Sequence, residues 1–185
     1  MPVTLVGDEI IPVCNLIQQH FDLVVATQDW HPDNHKSFAR MHSKPLFEKI
    51  DLNGLQQVLW PDHCVQGTKG AEICENLHMN KVEAIFRKGT DANIDSYSGF
   101  YDNGHRKSTG LADYLRGKSI TEVYVAGLAA DYCVYFTAAD ALDEGFATFI
   151  IDDAVRAISK DGYENAKQDI INKGGRIIYS TDIAD

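Results

Sequence analysis

Asp29, His31 and His63 are residues of the types that hold a divalent cation. Asp29 and His31 stand two apart, and in an extended segment that spacing puts both side chains on one face, because a strand has a period of two. They can chelate one cation from a single stretch, and His63, at the far end of a long irregular segment, can supply a third donor. Two imidazoles and one carboxylate suit Zn²⁺, Fe²⁺ or Mn²⁺ and leave positions for water and substrate. The plainer reading is that histidines in a polar loop are solvated. His35 and His42 lie in the same segment and read as supporting or surface groups.

The second chemical candidate is Cys133. The run Val123-Tyr124-Val125-Ala126-Gly127 reads as a strand entering a turn, and Leu128-Ala129-Ala130-Asp131-Tyr132 leads into a helix that Cys133 would open. A cysteine at a helix N-terminus feels the positive end of the helix dipole, which stabilises its thiolate. The free N–H groups there can also hold an oxyanion. The competing reading is a small core residue beside Val134 and Phe136. Lys88, placed just after a strand at residues 82–86, would reach the same sheet edge and favour the thiolate by charge. Its alternative is a solvated strand-end lysine. Cys64 reads as packing, and Cys14 and Cys74 as core positions on helix faces.

These residues need a frame, and apolar periodicity supplies one. Helices are predicted over residues 8–20, 68–78, 109–115, 133–144 and 159–173, and strands over 22–27, 82–86, 122–126, 147–151 and 176–179. Alternating strands and helices predict a parallel sheet covered on both faces. Open sheets of this kind bind ligands at the carboxyl ends of their strands, where Asp29, Lys88 and Cys133 all fall. Residues 30–61 show little periodicity, and irregular segments of that length are commonly functional.

Composition narrows the class. Seventeen Lys and Arg against 27 Asp and Glu give a net charge of −10 over 185 residues, which repels a phosphate backbone and argues against nucleic acid. No apolar run reaches the ~18 residues of a membrane span. No signal-peptide pattern opens the sequence, and four sparse cysteines suit a reducing cytoplasm. The length fits one domain.

Beyond the individual residues, the chain resembles the nicotinamidases (pyrazinamidases) of the isochorismatase-like hydrolase superfamily. The resemblance rests on five motifs in order. They are Gln28-Asp29-Trp30-His31-Pro32-Asp33-Asn34-His35 with Ser37-Phe38, Leu59-Trp60-Pro61-Asp62-His63-Cys64-Val65, and Phe86-Arg87-Lys88-Gly89. Asp95-Ser96-Tyr97-Ser98-Gly99-Phe100 with Asp102-Asn103-Gly104 follows, and then Gly127-Leu128-Ala129-Ala130-Asp131-Tyr132-Cys133-Val134. It implies a three-layer, doubly wound α/β fold as a single domain over residues 1–185. One divalent metal, zinc foremost with iron or manganese as alternatives, would sit on Asp29, His31 and His63. Cys133 would be the nucleophile, Lys88 its charged neighbour, and Ala129 would offer its N–H to the oxyanion after a cis peptide at Leu128–Ala129. Trp60, Tyr97 and Tyr132 would bind the ring. The implied reaction is hydrolysis of nicotinamide to nicotinate and ammonia through a cysteine thioester, in cytoplasmic NAD salvage. Pyrazinamide is a further candidate substrate, homo-oligomerisation is left open, and neither nucleic acid nor membrane is an expected partner.

One part of the pattern is missing. The resemblance implies a catalytic aspartate, the general acid/base, at the end of a first strand, within an Asp-x-Gln-x-Asp-Phe segment that also carries a ring-sandwiching phenylalanine. No such segment occurs here, and Asp8 is not its counterpart. The absent strand is a central one, so the sequence predicts an N-terminally incomplete domain. That leaves two readings besides the amidase itself: a related amidase with another substrate, or a catalytically impaired relative that binds metal or a pyridine.

Overall fold

A computed structural model describes residues 7–183. Its parallel strands form two groups. β1 (Val24–Asp29) pairs with β4 (Val82–Lys88), and β5 (Glu122–Leu128) pairs with β6 (Ala147–Arg156), which pairs in turn with β7 (Arg176–Ile178). A separate antiparallel hairpin joins β2 (Lys49–Leu52) to β3 (Leu55–Val58). Among the described residues no strand pairs with the second edge of β1 or of β5. Interior parallel strands are normally buried on both faces, yet Thr27 in β1 and Ala126 and Leu128 in β5 are exposed. The expected parallel α/β architecture is present.

Helices cover both faces of the β5–β6–β7 group, and β6 shows how. Ile150 packs toward α3 (Tyr135–Asp143) and α4 (Lys160–Asn172), whereas its neighbours Phe149 and Ile151 pack toward α1 (Ile11–Ile17). This is strand alternation at work. α2 (Leu111–Gly117) closes a third cluster with Phe100, Phe146 and Phe86. Pro12 sits in the first turn of α1, where its missing N–H is harmless. Among the described residues no helix is long and apolar enough to cross a membrane.

Several sequence expectations need correction. The helix expected over residues 68–78 reduces to a short 3₁₀ turn, Lys69–Ala71. Gly70 weakens helix there, and the Thr68 hydroxyl donates back to the Val65 carbonyl instead of capping the turn. Cys74, read as core on that helix, is therefore exposed. β1, β4 and β5 run two residues beyond the residues 27, 86 and 126 at which they were expected to end. Asp29 and Lys88 are thus the last residues of their strands and register partners. The irregular segment contains the β2–β3 hairpin, turned by Asn53 (φ 56°) and Gly54 (φ 83°), the left-handed pair that an Asn-Gly hairpin turn requires. Cys133 does not open α3, because a π-helical turn, Ala130–Val134, comes first.

Two stability predictions arise here. Ser159 caps α4 by accepting the Gly162 N–H at 3.1 Å. Ser159→Ala is expected to cost about 1 kcal/mol, read as a lower denaturant midpoint. The second concerns Asp140, buried on α3 near Ser98, His105, Asp143 and Glu144, with Oδ2 unpartnered. Burial raises its carboxyl above the ordinary 3.8, and the Ser98 hydroxyl and His105 only partly offset this. The unfolded chain loses this proton first, so stability falls as pH rises through and beyond 3.8. Asp140→Asn should therefore raise the denaturation midpoint at neutral pH, with the gain vanishing below the unfolded carboxyl range.

Candidate active site

Two backbone bridges gather the site. His31 pairs in parallel with Val65, its N–H donating to the Cys64 carbonyl at 2.9 Å and its carbonyl accepting from Gln66 N at 2.8 Å. This draws His63, 32 residues on in sequence, alongside His31, with ring centroids 4.8 Å apart. Phe38 pairs with Trp60 in the same way, the Trp60 N–H donating to the Ser37 carbonyl at 2.8 Å and its carbonyl accepting from Ala39 N at 2.9 Å.

Asp29, His31 and His63 present one donor atom each, all within 4.8 Å of one another. His31 Nδ1 lies 2.8 Å from the Gly89 carbonyl, and His63 Nδ1 lies 2.8 Å from the Pro61 carbonyl. A carbonyl only accepts, so each Nδ1 carries the proton and each Nε2 keeps its lone pair. That arrangement of a backbone acceptor behind the imidazole is the usual support of a metal-binding histidine. The donor set therefore fits a divalent cation. His42 takes no part, since its Nε2 contacts the Lys36 carbonyl at 2.8 Å. His35 is wholly buried, its ring 4.3 Å from that of His31.

On the other side of Asp29 lies the thiol. Lys88, 4% exposed, donates to Asp29 Oδ1 at 2.5 Å, to the Ser96 carbonyl at 2.8 Å and to Cys133 Sγ at 3.4 Å. Its three protons are thus fully used. Burial works against the Lys88 charge, but Asp29 and then Cys133 outweigh it and hold the ammonium protonated. Burial likewise pushes the Asp29 carboxyl up, and Lys88 and His31 bring it below its ordinary value. Cys133 departs from expectation. Burial raises its thiol, Lys88 lowers it, and the nearby Asp29 raises it again, leaving the net shift upward. Burial overrides the helix-terminus stabilisation expected for the thiolate, and a π turn rather than a regular helix end carries the residue. Two N–H groups of that turn, from Tyr132 and Val134, donate to the Ala129 carbonyl at 3.1 Å each, and the Leu128–Ala129 peptide is cis as the resemblance implied.

The aromatic residues gather beside the thiol. Trp60 meets Tyr132 edge-on at 4.8 Å and donates its Nε1–H to the Tyr97 hydroxyl at 3.1 Å. Tyr97 and Tyr132 lie 5.4 Å apart. One open cavity of about 200 Å³ is lined by Tyr97 and Phe136, and a second of about 140 Å³ by Lys88 and Gly89. Sequence reasoning missed three contributors: Gly89, whose carbonyl fixes His31, Ser96, whose carbonyl holds Lys88, and the buried pair Gln57 and Asp95. No periodicity marks them. The visible signals were a glycine directly after a strand and an acid inside a motif otherwise rich in small and aromatic residues.

A half-buried thiol and a buried ammonium thus stand beside a three-donor cation set at the carboxyl edge of a parallel sheet. The chain belongs to the isochorismatase family, whose domain matches residues 11–182. Within it the likeness is to nicotinamidase-type amidohydrolases. The nicotinamidase of Acinetobacter baylyi is 46% identical over 179 residues, which cover 96% of this chain and 84% of that protein. A solved nicotinamidase/pyrazinamidase from Acinetobacter baumanii superposes with a TM-score of 0.93 at 47% identity, covering 96% of this chain and 87% of that one. The pyrazinamidase of Pyrococcus horikoshii, solved in complex with zinc, gives 0.76 at 36% identity, with 94% and 87% covered.

Proposed function

We propose that the chain hydrolyses nicotinamide to nicotinate and ammonia, with Cys133 as nucleophile and a divalent cation on Asp29, His31 and His63. The observation that carries this reading is Lys88 bridging Asp29 of the cation set and the Cys133 thiol at 2.5 and 3.4 Å. One ammonium thereby fixes the distance between substrate binding and attack. A cation held by Asp29, His31 and His63 would supply a Lewis-acid site for the pyridine nitrogen and so orient the ring. Zinc is the cation of choice, supported by the zinc complex of the Pyrococcus relative, and Fe²⁺ and Mn²⁺ suit the same donors.

Trp60, Tyr97 and Tyr132 wall the ring. Cys133 Sγ attacks the carboxamide carbon, a C–S bond forms, and the carbonyl π pair moves to oxygen. The N–H groups of Ala129 and Cys133 hold that oxyanion. The proton given up by the thiol passes to the amide nitrogen, the oxyanion pair re-forms the carbonyl, and ammonia leaves as the C–N bond breaks. Water then attacks the thioester carbon, a C–O bond forms and the C–S bond breaks; one water proton returns to sulfur, restoring the thiol, and the other is released as nicotinate departs. The Lys88 ammonium favours the thiolate by charge at attack and again at release. The reaction belongs to pyridine-nucleotide salvage, and free thiols at Cys14, Cys64, Cys74 and Cys133 suit the cytoplasm.

A second reading rests on the same bridge. Among the described residues Asp29 is the one carboxylate bonded to Lys88. A single carboxylate then serves both cation and ammonium, and among the described residues no other is hydrogen-bonded at Lys88 or Cys133 to move protons, so the chain would bind cation and pyridine but turn over poorly. The two readings separate in protein stripped by a chelator and reloaded with Zn²⁺, Mn²⁺ or Fe²⁺. Ammonia release restored by reloading supports the amidase, whereas folded, loaded protein without turnover supports the impaired relative.

A further inference from the structure

Asp95 is 3% exposed and unused by the reaction. Its Oδ1 accepts the Ser96 N–H at 2.8 Å, and its Oδ2 accepts from Gln57 Nε2 at 3.0 Å. A buried carboxylate so held is normally explained by a cation or a donor that needs it. The groups it faces are the imidazoles of His31 and His35, whose donor atoms and its own all lie within 4.8 Å.

A second cation among these three is ruled out by His31. Its Nδ1 is committed to the Gly89 carbonyl, and its Nε2 belongs to the set with Asp29 and His63. The donor in need is on His35. Its Nδ1 accepts the Ser37 backbone N–H at 3.3 Å and lies 2.7 Å from the Ser37 hydroxyl. The ring proton therefore sits on Nε2, a buried atom with no hydrogen-bond partner. The Ile94 carbonyl and the Asp95 carboxylate are the acceptors that face this ring; neither is in full bonding geometry, and of the two Asp95 carries the charge. His35 in turn packs against the His31 ring at 4.3 Å.

We infer that Asp95 and His35 form a positioning pair that sets the plane of the cation-binding imidazole His31. The inference rests on the cation reading above. Gln57 extends the pair to the ring wall, since its Nε2 also lies 3.2 Å from the Tyr97 hydroxyl that Trp60 bonds. The imidazoles and the aromatic wall then share one buried anchor, and disturbing it moves both.

The test uses the full chain and Zn²⁺ binding by calorimetry, with Co²⁺ absorption as a report on ligand geometry. Asp95→Asn and His35→Gln are each expected to weaken Zn²⁺ binding by about 10- to 100-fold and to shift the Co²⁺ bands. The double variant should be little worse than either single one, the mark of a coupled pair. Wild-type Zn²⁺ affinity and an unchanged Co²⁺ spectrum in Asp95→Asn would overturn the pair, as would losses that simply multiply in the double variant. If Asp95→Asn fails to fold, Gln57→Leu frees the carboxylate while keeping its charge. Weaker Zn²⁺ binding there supports the inference, and unchanged binding overturns it. Failure of the wild-type chain to bind any divalent cation would instead refute the cation site itself, and the pair with it.

Discussion

Cys133→Ala is expected to lower ammonia release from nicotinamide by about 10³-fold or more, while leaving Zn²⁺ affinity close to that of the unaltered chain. The asymmetry follows from the geometry. Cys133 contacts the cation set only through Lys88, which keeps its bonds to Asp29 and the Ser96 carbonyl when the thiol is removed. The substitution deletes the atom that forms the thioester and spares the donors. The same geometry sets a pH dependence. Burial leads the upward shift of the Cys133 thiol, which Lys88 only partly offsets. The thiolate fraction at neutral pH is thus below that of an ordinary thiol. Alkylation of Cys133 by iodoacetamide should keep accelerating above pH 9.0, the ordinary thiol value. A rate that levels off near neutral pH would show that the ammonium outweighs burial.

Gly89→Ala should be nearly as damaging, through a residue that touches no substrate. Gly89 has φ +62°, a conformation that an L side chain adopts only under strain, and a Cβ there would stand 2.3 Å from His31 Cε1 and 2.5 Å from His31 Nδ1. His31 cannot step aside. It is 1% exposed, bonded to the Gly89 carbonyl, and packed between His35 and Phe38. Either the ring leaves the cation set or the strand end moves and carries Lys88 with it. We expect a loss of about 3 kcal/mol or more in stability and at least a hundredfold loss in Zn²⁺ affinity, read by denaturant titration and calorimetry. Wild-type values in both would mean that the Gly89 carbonyl does not fix His31.

Much of this was legible in the sequence because it depends on local rules. The Asp29-x-His31 spacing, the strand before Lys88 and the strand–turn before Cys133 all follow from period and chain direction. Their convergence follows from the carboxyl-edge rule of parallel sheets. What stayed hidden depends on tertiary contact. Nothing local announces that Val65 will bridge to His31 and deliver His63, or that a π turn will displace Cys133 from a helix end. The upward shift of that thiol comes from burial, which spacing does not encode. The β2–β3 hairpin is a different case: its Leu-Asn-Gly-Leu turn was readable, and the long aperiodic segment around it obscured the signal.

Amide hydrolysis at this edge of the sheet is open to direct measurement. The most direct measurement follows nicotinate and ammonia together, from nicotinamide, with the Zn²⁺-loaded 185-residue chain and Cys133→Ala run alongside. Equal amounts of both products, formed over many turnovers and absent in the substituted chain, are the predicted result. Folded, Zn²⁺-loaded protein that makes neither product, or makes both equally well without Cys133, would contradict it.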